Sequence, residues 1–366
     1  MKNKTAKKIL LSVACVLLAL LLAVISYAAY VLLSYSRIED NLVLQPEPAQ
    51  SGATADAMQT GQTYTISTYN IGFGAYTPEF TFFMDGGKES RAASEDSVIT
   101  HVTAAAETAK GFSPDFALFQ ETDTSSTRSY HVNEKRLIQN VFAEYCGVFA
   151  VNYHSAYLMY PVFNPHGKSN SGIYTLSRFT IASALRRSLP ISTGLSKLLD
   201  LDRCYSVSRV PTENGKEFVL YNVHLSAYGG SEEIRTAQMN MLFSDIKSEY
   251  DKGNYCVAGG DFNHDFTGNS AVALNGAENA DSFEWAQPFP AELLPQGVSR
   301  AVNYTCGTQQ PTCRNCDVPY EEGNYTVIVD GFLHTDNVDV SYLENVQLAF
   351  ADSDHHPVLM RFSLQA

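Results

Sequence analysis

The sequence has little positive charge, and its glycine and proline contents are ordinary. Its 366 residues include 25 Lys and Arg against 39 Asp and Glu, a net charge of −14. This balance excludes a basic protein that binds nucleic acid by charge alone. The 23 glycines and 14 prolines, with no internal repeat, exclude fibrous, low-complexity and solenoid classes. Because 45% of the residues are hydrophobic, the chain is too apolar for a disordered protein. At 366 residues it is also far too long for a small disulfide scaffold.

The first 34 residues lack any acidic side chain. Four lysines, the last of them Lys8, precede an uncharged apolar run over residues 9–34. At about 1.5 Å per residue, this run is long enough to cross a hydrocarbon core of about 30 Å. The lysines favour a cytoplasmic tail at residues 1–8 and an extracytoplasmic location for the rest of the chain.

A cleaved signal peptide is the alternative interpretation of this segment, with Ser26-Tyr27-Ala28 as a cleavage site. The apolar run continues to Ser34, which is longer than the apolar region of a typical signal peptide. We therefore favour a single-pass anchor in the cell membrane at residues 9–34. In both interpretations the remainder is exported.

Six of the seven cysteines lie in the exported part, where they allow 15 pairings. Three lie in apolar, strand-like runs and are expected to be buried free thiols: Cys146, Cys204 and Cys256. The other three cluster in a polar loop: Cys306, Cys313 and Cys316. We expect one local disulfide there rather than a zinc site, because no fourth ligand is adjacent.

The exported part divides into a linker and one domain. Residues 35–62 contain Pro, Ser, Gly, Ala and Thr without apolar periodicity, which predicts a flexible linker. From residue 63 to 366, strand-like and helix-like segments alternate, which predicts one α/β domain with covered sheets. Strands are predicted at residues 64–71, 116–120, 147–153, 172–177, 218–224, 255–260, 325–334, 338–350 and 357–364. Helices are predicted at residues 92–110, 133–145 and 231–252.

Polar side chains are predicted at or just beyond the carboxyl ends of these strands. They are Asn70, Glu121, His224, Asp261 with Asn263, Asp330, and the run Ser353-Asp354-His355. Strand ends on one edge of a packed sheet converge, so we expect one acidic pocket that contains histidines. Its oxygen-rich donor set suits a hard cation, Mg²⁺ or Mn²⁺.

Three motifs resemble, in their order and in their amino-acid sequences, motifs of the endonuclease/exonuclease/phosphatase superfamily. This superfamily includes deoxyribonuclease I, exonuclease III and the neutral sphingomyelinases. The motifs are Gln120-Glu121, Gly260-Asp261-Phe262-Asn263 and Ser353-Asp354-His355. The resemblance covers residues 64–364. It implies a four-layer α/β sandwich, with two packed mixed β-sheets flanked by helices, after the transmembrane helix. It also implies metal-dependent hydrolysis of phosphoesters.

The resemblance assigns three residues to the metal. Glu121 matches the metal-binding glutamate of the superfamily, and Asn70 lies beside it as a metal or phosphate contact. Asp354 matches the second carboxylate on the metal side.

Four further residues match the catalytic groups of the superfamily. Asp261 matches the aspartate that helps to bind metal and to orient or deprotonate the attacking water. His224 resembles the histidine that donates to the phosphoryl oxygen. His355 corresponds to the histidine that acts as a general base or stabilises the transition state, and Asp330 to the carboxylate that orients it. The division of work between Asp261 and His355 stays open at this stage.

Three residues are expected to contact substrate. Asn263 resembles the residue that holds the scissile phosphate. Asn170 lies where abasic-site nucleases have a phosphate-contacting tyrosine, which disfavours a repair nuclease. Arg314, held by a local disulfide, is expected to meet a phosphate. His356 is excluded from the site, because alternate strand positions face opposite sides.

These assignments predict a membrane-anchored, nuclease-like phosphodiesterase that depends on Mg²⁺ or Mn²⁺. Diesters are favoured over monoesters because no basic cluster suited to polyphosphates is present. Nucleic acid and phospholipid head groups both stay open as substrates, the latter by a sphingomyelinase- or phospholipase C-like hydrolase. The alternative of another class is a catalytically silent binding module on the same fold. No protein partner is predicted, and a monomer is expected.

Overall fold

The computed structural model describes residues 2–52, 54–194, 197, 202–227, 231–277, 279, 285–302 and 310–366. Within these residues the helices are α1 (Lys2–Ser34), α2 (Glu95–Gly111), α3 (Glu134–Val141), α4 (Glu232–Asp251) and α5 (Ser270–Asn275). The strands are β1 (Leu42–Leu44), β2 (Thr63–Asn70), β3 (Phe116–Asp123), β4 (Cys146–His154), β5 (Asn170–Ser177), β6 (Ser183–Ser188), β7 (Cys204–Pro211), β8 (Glu217–His224), β9 (Tyr255–Asp261), β10 (Val298–Ala301), β11 (Cys313–Arg314), β12 (Thr326–Val327), β13 (Asp330–Thr335), β14 (Val338–Asn345) and β15 (Val358–Leu364).

Two mixed β-sheets pack face to face. One has the strand order β1-β6-β7-β8-β9-β13-β10, and the other has the order β14-β15-β2-β3-β5-β4. Their inner faces bury an apolar core that includes Ile66, Leu118, Leu220, Val257 and Phe332. Helices α2 and α3 cover the outer face of the six-stranded sheet, and α4 covers that of the seven-stranded sheet. The predicted four-layer α/β sandwich is confirmed.

Helix α2 illustrates how the local sequence supports these layers. Its N-cap, Ser94, accepts a hydrogen bond from the backbone N–H of Ser97 at 3.1 Å, and two acidic residues occupy the first turn. One face of the helix is fully buried against the sheet and consists of Val98, Val102, Ala105, Ala106 and Ala109. This spacing of three and four residues is that of an amphipathic helix.

Helix α1 precedes the sandwich. It is long and apolar enough to cross a membrane, by length and composition, and its apolar stretch is not buried by the rest of the chain. A signal sequence passes the same test.

The segment predicted as a flexible linker, residues 35–62, is instead part of the sandwich. Strand β1 pairs with β6 at the edge of the seven-stranded sheet, and Glu47 pairs with Gly147. Met58 is fully buried in the core between the sheets. The linker prediction is therefore wrong, because a three-residue strand and a lone methionine are too short to give a periodic signal.

Two pairs of parallel strands lie within the sheets, β2 with β3 and β8 with β9. Strand β15 runs antiparallel to β2, and β13 runs antiparallel to β9 with Asp330 opposite Asp261. The beginnings of β13 and β15 therefore lie at the same edge as the ends of β2 and β9. The prediction that every polar cluster follows a strand is wrong for Asp330, which begins β13, and for His355, which precedes β15.

Candidate active site

A cleft lies at the edge where these strand ends meet. Five of the predicted site residues line it together: Glu121, His224, Asp261, Asp354 and His355. Asn263 and Arg314 line it as well. Asn70 and Asp330 contact two of these residues. Asn70 is hydrogen-bonded to Asp261, and Asp330 is hydrogen-bonded to His355.

Asp261 is the central carboxylate of the cleft. Its Oδ2 accepts a hydrogen bond from Asn70 Nδ2 at 3.0 Å, and its Oδ1 accepts one from the backbone N–H of Asn263 at 2.8 Å. The side chain is almost fully buried. Burial raises the pKa of Asp261 to about 7, although His355 acts in the opposite direction. This carboxylate therefore exchanges its proton near neutral pH.

His355 and Asp330 form a buried hydrogen-bonded pair. His355 Nδ1 lies 2.8 Å from Asp330 Oδ2, so Nδ1 carries a proton and donates it. The other ring nitrogen, Nε2, is 3.8 Å from Asp261 Oδ2. Burial disfavours the charged imidazolium, but Asp330, Cys313 and Asp354 together hold the pKa of His355 well above its ordinary value. The raised pKa favours the imidazolium, which carries a second proton on Nε2, although Asn70 Nδ2 lies only 3.4 Å from that nitrogen.

Asn70 presents its amide nitrogen to the site. Its Oδ1 accepts a hydrogen bond from the backbone N–H of Gly72 at 3.0 Å, whereas Nδ2 lies 3.5 Å from Glu121 Oε1. The backbone carbonyl of Asn70 accepts from Ser353 Oγ at 2.8 Å. Oδ1 keeps a second lone pair, so the role of Asn70 as a metal or phosphate contact stays a prediction. Its contacts through Nδ2 orient Asp261 and Glu121.

Glu121 lies inside β3, at an irregularity in the pairing with β5. Its φ of 54° is unusual for a residue with a side chain, and such bulges redirect side chains near functional sites. The carboxylate is 4.0 Å from the guanidinium of Arg128. Arg128 is itself held by Asp123, through Nε at 3.0 Å and Nη2 at 2.9 Å.

His224 is a neutral donor at the end of β8. Asn152 Nδ2 lies 3.4 Å from His224 Nδ1, and because an amide nitrogen only donates, the proton of the ring is on Nε2. Nε2 lies 3.5 Å from Asp261 Oδ2. Burial, with Arg203 nearby, holds the pKa of His224 well below its ordinary value.

Asp354 lies in the loop before β15, against the segment that contains Cys313 and Cys316. Burial raises the pKa of the Asp354 carboxyl. Cys316 Sγ is 3.7 Å from Asp354 Oδ2. Cys313 and Cys316 are free thiols, so they do not form the expected local disulfide with each other, and Cys306 lies outside the described residues. The prediction of buried free thiols is confirmed for Cys146, Cys204 and Cys256.

The three expected substrate contacts differ in placement. Asn170, at the start of β5, donates through Nδ2 to Thr124 Oγ1 at 2.8 Å and does not line the cleft. Asn263 lines the cleft and donates to the carbonyl of Leu225 at 2.8 Å. Arg314 lines it too, but its Nη2 donates to the carbonyl of Thr77 at 2.8 Å.

His356 points away from the cleft, as predicted. Its ring stacks on Phe350 with centroids 3.8 Å apart, and its Nε2 accepts a hydrogen bond from the backbone N–H of Phe350 at 3.1 Å. Burial lowers the pKa of His356 to about 4. The imidazole is therefore a neutral part of the packing.

Three arginines line the cleft together, Arg128, Arg203 and Arg314. The sequence analysis found no basic cluster, because these residues come from three distant segments. Arg128 and Arg203 were not predicted as site residues, and neither lies in a recognisable motif. Only the fold brings these positive charges beside the carboxylates.

The donor groups fit a divalent cation. Carboxylate oxygens of Asp261 and Asp330 lie within 4.8 Å of each other, and a carboxylate oxygen of Asp354 lies within the same distance of Cys313 Sγ. Among the described residues, the buried Oδ1 of Asp330 has no hydrogen-bond partner. Several of the buried carboxylates have raised pKa values because too little positive charge lies near them. A hard cation would supply that positive charge.

Several solved structures share the fold. An endonuclease/exonuclease/phosphatase from Beutenbergia cavernae superposes with a TM-score of 0.54 and 16% identity, over 83% of this chain and 72% of that one. ANGEL2, a 2',3'-cyclic phosphatase, has a TM-score of 0.54 and 13% identity, over 89% of this chain and 99% of that one. The human Nocturnin catalytic domain with bound sulfate anion has a TM-score of 0.51 and 17% identity, over 83% and 95%. These identities show the fold alone.

The family is shown by the sequence itself. No curated protein matches the chain in sequence. The profile of the Endonuclease/Exonuclease/phosphatase family, however, matches residues 67–355, a span that contains every predicted site residue from Asn70 to His355. Members of this family hydrolyse phosphoesters. The chain belongs to the endonuclease/exonuclease/phosphatase family.

Proposed function

We propose that the protein is a membrane-anchored, extracytoplasmic hydrolase of phosphodiesters that requires Mg²⁺ or Mn²⁺. The observation that carries the proposal is the hydrogen-bonded pair of His355 and Asp330, which faces Asp261 in a cleft that also contains Glu121 and Asp354. These are the groups that phosphoester hydrolysis needs, namely a base, a proton donor and oxygen ligands for a cation.

Glu121 and Asp354 would hold the cation with help from Asp261, and Asn70 keeps the carboxylate of Glu121 oriented. When bound, the cation neutralises the negative charge that grows on the phosphate oxygens during attack by water. The three arginines of the cleft, Arg128, Arg203 and Arg314, add positive charge at its wall.

The different pKa shifts of Asp261 and His355 favour a different catalytic role for each residue. A pKa of about 7 suits Asp261 to remove the proton of the attacking water, since a base works best when its pKa is close to the working pH. His355 keeps its proton, because Asp330 stabilises the imidazolium. It therefore donates a hydrogen bond from Nε2 to a phosphate oxygen, and neutral His224 donates a second one from its own Nε2.

Phospholipid head groups are a second candidate substrate class. An uncharged loop at residues 156–164 lies beside the cleft, where Tyr160 contacts Phe83 with ring centroids 5.7 Å apart. An apolar rim of this kind favours a substrate presented by a lipid surface.

We propose further that residues 1–8 are cytoplasmic, that residues 9–34 of α1 span the membrane, and that residues 63–366 form the catalytic domain. The support for the anchor is the length and composition of α1. Residues 35–62 join the catalytic domain through β1 and Met58.

The test compares the full chain with His355→Ala and with a control, His101→Ala. His101 lies on α2, pairs with Asp352 at 2.8 Å, and does not line the cleft. Each protein is assayed against bis-p-nitrophenyl phosphate, plasmid DNA and sphingomyelin, with Mg²⁺, Mn²⁺ or EDTA.

We expect turnover that EDTA abolishes, that His355→Ala lowers by a factor of about 10² to 10⁴, and that His101→Ala leaves intact. The preferred substrate chooses between nucleic acid and lipid head groups. A folded protein that binds Mn²⁺ without turnover on any substrate would support a silent binding module. Turnover that survives His355→Ala would refute the proposed site.

A further inference from the structure

The loop between β4 and β5 exposes an unusual run of apolar side chains. Residues 155–164 contain no charge. The exposed fractions are 67% for Tyr160, 74% for Val162 and 103% for Phe163. Elsewhere in the described part of the domain, large apolar side chains are exposed singly or as one adjacent pair. We call residues 156–164 the apolar loop.

The apolar loop is hydrogen-bonded to the last turns of α1. Tyr27 Oη donates to the carbonyl of Tyr157 at 3.1 Å and accepts from the backbone N–H of Met159 at 3.0 Å. Tyr30 Oη accepts from the backbone N–H of Tyr157 at 3.1 Å. The loop therefore lies alongside the helix rather than beyond its end.

The depth of these contacts follows from the length of the helix. Residues 9–34 span about 39 Å at about 1.5 Å per residue, about 9 Å more than a hydrocarbon core of about 30 Å. With residue 9 at the far boundary and the helix upright, roughly the last six residues of α1 lie among the head groups. Tyr27 and Tyr30 lie at the boundary, where tyrosine is enriched. The apolar loop, which is bonded to both, reaches the same depth.

The segment that connects α1 to the sandwich is itself bonded to the sandwich, which holds the helix close to the domain. Arg37 Nη2 donates to the carbonyl of Leu189, and the backbone N–H of Ile38 lies 3.4 Å from Asp202 Oδ1. Strand β1 follows at Leu42 and is paired with β6. The short segment between helix and sheet is therefore attached, and the orientation of the domain relative to α1 is restricted.

The other side of the apolar loop contacts the cleft. The rings of Phe83 and Tyr160 are 5.7 Å apart, and the rings of Phe83 and His166 are 6.0 Å apart. His166 lines the cleft. Ser90 Oγ donates to the carbonyl of Asn164, which fastens the base of the loop. The lipid-facing side chains and the catalytic groups thus belong to one packed unit.

We propose that the apolar loop is a second, non-spanning membrane contact that inserts among the head groups of the leaflet on the domain's side. The occupant of this surface is the lipid bilayer that holds α1, because the loop lies at its depth and carries no charge. The cleft then opens beside the lipid surface. This inference rests on the proposed anchor.

The test uses the full chain in nanodiscs that contain brominated lipid, which quenches tryptophan. Trp285 is the single tryptophan of the sequence, so a Trp285→Phe background is dark. The probe is Phe163→Trp in that background, at a fully exposed position where folding is not affected. The matched control is Val272→Trp, at a 51% exposed apolar residue of α5.

We expect the Phe163→Trp protein to lose most of its emission in brominated discs, relative to discs without bromine, and the Val272→Trp protein to keep its emission. Unchanged emission of Phe163→Trp, or equal quenching of both proteins, would overturn the inference. Failure of the anchor is seen separately, as release of the protein from the discs. Failure of the catalytic proposal is seen as absence of turnover of the soluble diester by the unmodified chain, since Trp285 itself lines the cleft.

Discussion

The proton on His355 Nδ1 is held by a carboxylate that is itself buried, and one oxygen of that carboxylate has no other partner. Replacing Asp330 by Asn removes the charge that raises the pKa of His355. The imidazolium then loses its proton at lower pH, so we expect the alkaline limb of the pH–rate profile to move to lower pH. We also expect turnover to fall by a factor of about 10². An alkaline limb that stays in place in Asp330→Asn would contradict this role of Asp330.

Asp261 makes cation binding depend on pH. Its pKa is about 7, and burial also raises the pKa of Asp354, so protons compete with a cation below neutral pH. We expect Mn²⁺ to bind about tenfold or more weakly at pH 6 than at pH 8, with release of protons. Titration calorimetry in buffers of different ionisation enthalpy measures both quantities. Asp261→Asn should reduce the proton release, and equal affinity at the two pH values would refute the prediction.

Strand β1 and Met58 attach the segment before the sandwich to its sheets. We expect Met58→Ala to lower the free energy of unfolding by about 2–5 kcal/mol, because Met58 is fully buried between the sheets. The control is Met84→Ala, which removes a 49% exposed side chain and should change it by less than about 0.5 kcal/mol. Denaturant unfolding of proteins that start at residue 35 gives both values. Equal effects of the two substitutions would mean that the segment is not bound in solution.

A charged cluster joins α4 to β7. Glu249 accepts hydrogen bonds from Arg209 Nη2 at 2.7 Å, Lys252 Nζ at 2.8 Å and Asn254 Nδ2 at 2.8 Å. Burial raises the pKa of Glu249, but these donors outweigh it and lower the pKa from 4.5 to about 2. The stability that this group contributes is therefore complete above pH 4.5 and is lost as the pH falls toward 2.

We expect Glu249→Gln to lower the free energy of unfolding by about 1.5–3 kcal/mol at pH 7. The difference from the unmodified protein should shrink progressively below pH 4.5, because Glu249 of the unfolded chain takes up a proton there, whereas that of the folded chain does so only near pH 2. Urea unfolding at pH 7, 4 and 3 measures this. A difference that is the same at all three values would show that the charge of Glu249 is irrelevant.

At the level of elements, the sequence predicted most of the long apolar strands and missed the more polar strands β6 and β7. Strands β2, β8, β9 and β15 were predicted within a few residues, and so were α2 and α4. Strand β6 has the sequence Ser-Ala-Leu-Arg-Arg-Ser, whose polar residues hide its place in the sheet. The predicted strand 338–350 ends at Asn345, since the loop after it leaves the sheet to bring Asp354 and His355 to the cleft.

The site was predictable where its residues lie in motifs, and not where only folding joins them. Asp261, Asp354 and His355 were found because each belongs to a recognisable local sequence. Arg128 and Asn152 reach the site from isolated positions, so no local pattern marks them. The orientation of the Asn70 amide depends on the backbone N–H of Gly72, which a sequence does not show.

For the whole molecule, the anchor that we propose would determine where the hydrolase acts. We expect the full chain to remain with membranes after an alkaline carbonate wash, because residues 9–34 form a continuous uncharged helix. Protease added to intact cells should remove the domain while the N-terminus stays protected. A protein recovered in the medium with Ala29 at its N-terminus would instead show that the segment is cleaved after Ala28.

The pairing of β1 with β6 also sets the reach of the enzyme. A flexible tether of 28 residues would let the catalytic domain sample a volume with a radius of roughly 30 Å. That segment is bound to the sandwich. With α1 in the bilayer as we propose, the cleft would therefore keep one height above the membrane and would move sideways only together with α1. The rate of encounter with a substrate then depends on its density in the membrane rather than on its concentration in the medium. The enzyme would meet membrane-bound substrates far more often than soluble ones.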